Sequence, residues 1–209
     1  MLELLESASA SLSSVTDPDE ARRVHIADSL SGLAVPEVAS ASRVVDIGTG
    51  AGFPGIPLAV EKPEAQFTLI DSVGRKARFV DGVIERLGLR NARTRHMRSE
   101  EWAAGDGREA ANLVTARAVA PLAALAELAS PLLEDGGCLV AWKGERVEAE
   151  EEALAGLNNQ LSMSLLRIVP VHPFPESRQR HLYVVLKNGP TPENLPRRPG
   201  MVRKRPLSA

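Results

Sequence analysis

One cysteine, Cys138, in 209 residues excludes an internal disulfide and suits a reducing compartment. Aromatic residues make up only 3%, so the core has to be built from Ala, Leu, Val and Ile. No apolar run approaches the roughly 20 residues of a membrane span. The amino terminus, with Glu3 and Glu6, lacks the basic flank of a signal peptide. These absences predict a cytoplasmic protein. Hydrophobic content of 44% and charged content of 25% are ordinary for a globular chain of one domain.

The net charge of −2 conceals asymmetry. Residues 145–152 (ERVEAEEE) are strongly acidic. Arg197, Arg198, Arg203, Lys204 and Arg205 crowd the carboxyl terminus, and a second basic cluster runs through Arg90, Arg93, Arg95, His96 and Arg98. Locally basic surface binds phosphate whatever the total charge. Composition leaves equally open a tail that is merely solvated.

After residue 40, strand-like and helix-like segments alternate. Strands are expected at 43–47, 66–71, 91–97, 111–116, 138–143, 163–171 and 181–187. Helices are expected at 54–61, 74–87, 121–133 and 145–157, the third closed by Asp135-Gly136-Gly137. The alternation implies an α/β fold, a mostly parallel sheet with helices on both faces. The last two strands have no helix between them, so a hairpin across 173–180 makes the final strand antiparallel. Residues 1–40 read as a helical extension with an N-cap at Asp17, 41–189 as the main domain and 190–209 as a basic Pro/Arg-rich tail.

The stretch 44–57 (VVDIGTGAGFPGIP) is a buried strand entering a glycine-rich turn. Gly48, Gly50 and Gly52 permit positive φ and close approach of backbone to a ligand. A pyrophosphate-binding turn would place glycine at 53. Phe53 stands there instead, and Asp46 precedes the first glycine by two positions, which suits S-adenosylmethionine (AdoMet) better than a diphosphate. Asp71, 21 residues beyond Gly50 at the end of the second strand, can accept from ribose hydroxyls or cap the next helix. Ser99 and Glu100 stand where they could meet an adenine edge or begin a short helix. Asp46 fits an anchor of the turn or of a ligand amino group. Arg117 ends the fourth strand on the side where open α/β sheets bind ligands. Lys143 ends the fifth in the equivalent place and could meet a phosphate. His25 and Asp28, three apart on a helix, could pair functionally, although on spacing alone a helix-surface hydrogen bond is the better explanation.

The segments DIGTGAGFPGIPLAV (46–60), LIDSVGRKARF (69–79), RSEEW (98–102), TARA (115–118), WKG (142–144) and HLYVVLK (181–187) together resemble the bacterial small-subunit ribosomal RNA methyltransferase G family, also called glucose-inhibited division protein B. The likeness runs in order from about residue 14 to 207. It implies a Rossmann-like class I AdoMet-dependent methyltransferase with a seven-stranded sheet, acting on N7 of one guanine in the decoding-region loop of 16S rRNA. By this resemblance AdoMet contacts fall on Gly48, Phe53, Ser99, Glu100 and Arg117, and 25–29 (HIADS) matches a segment near the site. The tail LPRRPGMVRKRPL also resembles the family's basic ending.

Two departures bear on substrate grip. Only residues 11–15 echo the family's longer amino-terminal helical region, and Val24 replaces the arginine that usually precedes the histidine, leaving Arg22 and Arg23 as substitutes. The expected RNA contacts are therefore Arg22, Arg23, His25, Lys143, Arg197, Arg198, Arg203 and Lys204, with 16S rRNA or the 30S particle as partner. Guanine N7 carries no proton, so neither a general base nor a metal is expected, and the chain is expected to act as a monomer away from membranes. Rival readings are a nicotinamide-dependent oxidoreductase, a small-molecule methyltransferase and a non-catalytic RNA-binding module.

Overall fold

The computed structural model describes residues 22–175 and 177–208. The expected cap at Asp17 lies outside the described residues, as do the side chains of Arg22 and Arg23. Seven strands form one sheet in the order β3-β2-β1-β4-β5-β7-β6. They are β1 (Arg43–Ile47), β2 (Gln66–Asp71), β3 (Ala92–His96), β4 (Ala111–Arg117), β5 (Leu133–Lys143), β6 (Met163–Pro170) and β7 (His181–Lys187). Strands β1 to β5 pair in parallel, and β7 runs antiparallel between β5 and β6. The expected antiparallel last strand is therefore present.

Alternation along the strands divides the core between two faces. Val45, Ile47, Ile70, Val114 and Leu139 face one layer, and Val44, Phe67, Leu113 and Val140 the other. After a helical stretch at 22–34, the helices are α1 (Pro36–Ser40), α2 (Gly55–Glu61), α3 (Gly74–Leu87), α4 (Ser99–Ala103), α5 (Leu122–Ala129), α6 (Glu148–Ala155), α7 (Asn158–Leu161) and α8 (Met201–Lys204). The face of α3 carrying Ala77, Val80 and Val83 is buried, and Gly88 ends the helix in a left-handed cap at φ 63°.

One expectation fails in β5. Residues 130–133 do not prolong α5, and Asp135-Gly136-Gly137 lies inside a strand rather than closing a helix. Pro131 has no N–H to continue the α5 ladder. The β4–β5 pairing then steps from Ala111↔Leu133 to Leu113↔Cys138. The extra β5 residues bulge at Gly136, whose φ is 80°. Helix α6 is also shorter than expected, starting at Glu148.

The carboxyl-terminal segment is not loose. Leu195 and Val202 are buried, and the Arg197 guanidinium grips the Glu127 carboxylate of α5 with bonds of 2.5 and 2.7 Å. Glu127 is only 3% exposed, so this pair fixes the tail to the body.

Candidate functional site

At the carboxyl ends of β1, β2 and β4 the chain turns sharply, and those turns build the site. Gly48, Gly50 and Gly52 all have positive φ, at 64°, 62° and 95°. At Gly48 a Cβ would come within 2.8 Å of the Val119 side chain, so the close approach requires glycine. Asp71 ties this turn to β2. One carboxylate oxygen accepts from Gly50 N (2.9 Å), the other from Val73 N (2.8 Å). Asp71 thus braces the turn and the start of the next helix, and each oxygen keeps a second lone pair.

Asp46 is 1% exposed and works as the turn's anchor. It accepts from Gly55 N at 3.2 Å and from Thr115 Oγ1 at 2.8 Å. Burial nevertheless dominates and pushes its carboxyl up to about 6, against the pull of those bonds and of Arg117.

Two cavities open here. The first, of about 580 Å³, includes Gly48, Asp71, Ser99 and Glu100 in its walls. Ser99 and Glu100 also begin α4, with Arg98 N bonded to Glu101 at 2.9 Å, so the helix-start reading is observed while both residues line the cavity. Glu100 accepts from Ser99 Oγ at 3.2 Å and from Gly200 N at 2.8 Å. That second bond brings the tail over the cavity, where Val202, Arg203 and Leu207 complete the lining.

The second cavity, of about 430 Å³, is lined by Asp28, Arg117, Trp142, Lys143, Glu150 and Arg180, among others. Residues Val119, Ala120 and Pro121 line both chambers and form their common wall. Ala118, held at φ 55°, turns the chain between β4 and that wall. Arg117 donates to Asp28 at 3.0 Å, and its second nitrogen lies 3.1 Å from His25 Nδ1. His25 and Asp28 thus converge on Arg117, neither pairing with the other nor bonding across a solvated helix face. Burial, helped by the Arg117 charge, lowers the His25 ring to about 4, which leaves it neutral at physiological pH.

The Phe53 ring is buried and lines neither chamber. It stacks on His25 with centroids 4.7 Å apart, and the Arg117 guanidinium lies 5.2 Å from its centroid. Its position is behind Arg117. Gly50 likewise lies outside both linings and contributes through Asp71.

Among the expected RNA contacts, Arg198, Arg203 and Lys204 are exposed, whereas Arg197 is committed to Glu127. Lys143 pairs with Glu150 at 2.6 Å at the mouth of the second chamber. Sequence reasoning missed Arg180 and the wall at 119–121. Arg180 was findable, since it precedes β7, whose His181 pairs in register with Lys143.

Residues 2–183 match the family model described as rRNA small subunit methyltransferase G. A Pelotomaculum thermopropionicum protein named ribosomal RNA small subunit methyltransferase G is 40% identical over 201 residues, covering 95% of this chain and 84% of its own. A protein of the same name from Desulfitobacterium hafniense is 38% identical, covering 94% and 81%. Among solved structures, a predicted O-methyltransferase of Agrobacterium tumefaciens is similar with a TM-score of 0.60 at 22% identity, covering 78% of this chain and 81% of its own. P. horikoshii TYW2 in complex with MeSAdo reaches 0.55 at 15% identity, covering 74% and 61%. The structural likenesses establish the fold, that of class I AdoMet-dependent methyltransferases. At these levels of identity and coverage, the chain belongs to the small-subunit ribosomal RNA methyltransferase G (GidB) family.

Proposed function

We propose that this protein methylates N7 of one guanine in the decoding-region loop of 16S rRNA, using AdoMet. The observation that carries the reading is the pair of chambers sharing the wall at 119–121, the first holding Asp71, Ser99 and Glu100 and the second holding Arg117, Lys143 and Arg180 beside Asp28 and Glu150. Family membership supplies the substrate class.

The first chamber fits the cofactor on three counts. Its volume suits a ligand of that size, and its lining is mostly apolar with a few convergent polar groups. The glycine turn leaves no room for a Cβ at Gly48. Asp71 keeps lone pairs for ribose hydroxyls while holding the turn in place. Asp71, Ser99 and Glu100 would hold the nucleoside, with Gly48 close beside it. When bound, AdoMet supplies a methyl group made electrophilic by its sulfonium.

The residues of the second chamber then have a positioning task. N7 of guanine presents an in-plane lone pair without a proton, so no described side chain has to act as a base. Arg117, fixed by Asp28 and packed near Phe53, can donate to the guanine's oxygen. Lys143 and Arg180 can hold a flanking phosphate. The shared wall limits how far apart the two ligands sit, and rate gained this way is an effect of orientation. The target base has to be unstacked to enter.

The test is methyl transfer from labelled AdoMet to 16S rRNA or 30S particles lacking the modification. Wild type should label guanine N7, and Arg117→Ala should lose about tenfold or more of kcat/KM with AdoMet binding retained. AdoMet binding without transfer to any ribosomal RNA would refute the substrate, and absent AdoMet binding would refute the reading of the glycine turn.

A further inference from the structure

Parallel pairing puts Val45, Thr68 and Arg93 in one row across β1, β2 and β3, and Ile47, Ile70 and Arg95 in the next. Residues two apart on a strand share a face, so Arg93 and Arg95 stand on the same side of edge strand β3. Helix α3 packs on the opposite side, through Val80 and Val83 against Leu69. On the arginine side, Trp102 of α4 borders a groove of about 530 Å³ that also takes in Arg43, Arg90, Arg93 and Arg95.

Ion pairs among the described residues account for Arg43 alone of these four arginines. Among the described residues, Arg43 pairs with Glu134 and also bonds the Ala110 carbonyl, and Arg93 donates to the Thr68 hydroxyl at 3.1 Å. Arg90 and Arg95 make no ion pair there. Asp106 is the one acid in the groove lining. Two buried donors, Arg95 Nε and Trp102 Nε1, have no protein acceptor, and Trp102 is 7% exposed. Buried donors are ordinarily satisfied, and here two that lack an acceptor belong to residues of the groove lining.

We propose that this groove binds the phosphodiester backbone of the RNA substrate, at a site separate from both chambers. The inference rests on the rRNA reading above. Arg93 and Arg95 stand roughly 6.6 Å apart along the strand, comparable to the separation of successive phosphates on one RNA strand. Guanidinium groups at that spacing bind phosphates by paired hydrogen bonds and hold register without reading sequence. Outside the groove, Arg98 lies 4.0 Å from where a Gly200 Cβ would stand, so a basic residue also borders the tail. Helix α4 is the partition. Ser99 and Glu100 face the first chamber and Trp102 the groove, so RNA held in the groove would bear on the wall of the cofactor chamber.

The experiment compares wild type, the double variant Arg93→Ala/Arg95→Ala and the charge-retaining Arg93→Lys/Arg95→Lys. Affinity for 16S rRNA is measured at several salt concentrations, with AdoMet affinity as the readout of an intact fold. The alanine pair should weaken rRNA binding about tenfold or more and flatten the log–log salt slope by between about 1 and 2. AdoMet affinity should stay unchanged, and the lysine pair should keep most of the slope. Unaltered affinity and slope in the alanine pair, with wild type binding and methylating rRNA, would overturn the groove and spare the proposed function. If inorganic phosphate stabilises wild type but not the alanine pair while rRNA binding is equal, the groove is a small-anion site and the RNA proposal is wrong. Failure of wild type itself to bind rRNA would remove the substrate reading and this inference with it.

Discussion

Asp46 and His25 oppose each other as pH changes. Asp46 titrates at 3.8 when unfolded and about 6 when folded. Across that window the folded chain keeps a proton the unfolded chain has lost, so stability falls as pH rises, by about 3 kcal/mol. His25 titrates at 6.5 unfolded and about 4 folded. Between those values the unfolded chain holds the extra proton, so stability rises with pH. The two slopes overlap between about pH 4 and 6 and offset each other. Urea unfolding should therefore find wild type nearly level there, Asp46→Asn gaining stability with pH, and His25→Asn losing it. Profiles of one shape in all three proteins would contradict these shifts. At this scale the sequence was informative about identity and weak about partners. The turn glycines and Asp71 are where local spacing puts them. The meeting of His25, Asp28, Phe53 and Arg117 joins residues up to 92 positions apart and has no local signature.

Elements were more legible than contacts. Strands β1, β2 and β7 and helix α3 coincide with their expected ranges, because each carries uninterrupted periodicity bounded by clear punctuation. Helix α5 ran too long in the sequence reading because Leu132 and Leu133 continue its apolar pattern, although Leu132 lies in a turn and Leu133 begins the next strand. The tail was read by charge alone, which cannot separate Arg197 from Arg198. Packing separates them. Removing Arg197 strands the buried Glu127 carboxylate and should destabilise the protein by about 3 kcal/mol or more, with weaker AdoMet binding as the tail lifts from Glu100. Arg198 is exposed and forms no ion pair among the described residues, so Arg198→Ala should leave the unfolding midpoint unchanged and lower only rRNA affinity. Thermal melts beside AdoMet titrations of the two variants decide this, and equal behaviour would mean that the Arg197–Glu127 pair does not hold the tail.

Across the whole molecule, a net charge of −2 coexists with a basic track from Arg90 through Arg98 to Arg203. The acids of α6 are partly spent internally, Glu150 on Lys143 and Glu151 on Arg146 and the Tyr183 hydroxyl. Association with rRNA should thus depend steeply on salt despite the acidic total, each neutralised phosphate adding about 0.7 to 0.9 to the log–log slope. AdoMet affinity measured over the same salt range should barely move. A flat rRNA dependence would mean that the track does not carry the RNA.

The first chamber takes its walls from both ends of the described chain, Gly48 and Asp71 early, Gly200 and Val202 late. All seven strands are complete at Lys187. The sheet and the chamber are thus finished by different stretches of chain, and a cut between Lys187 and Gly200 would leave every strand in place with one wall of the chamber missing.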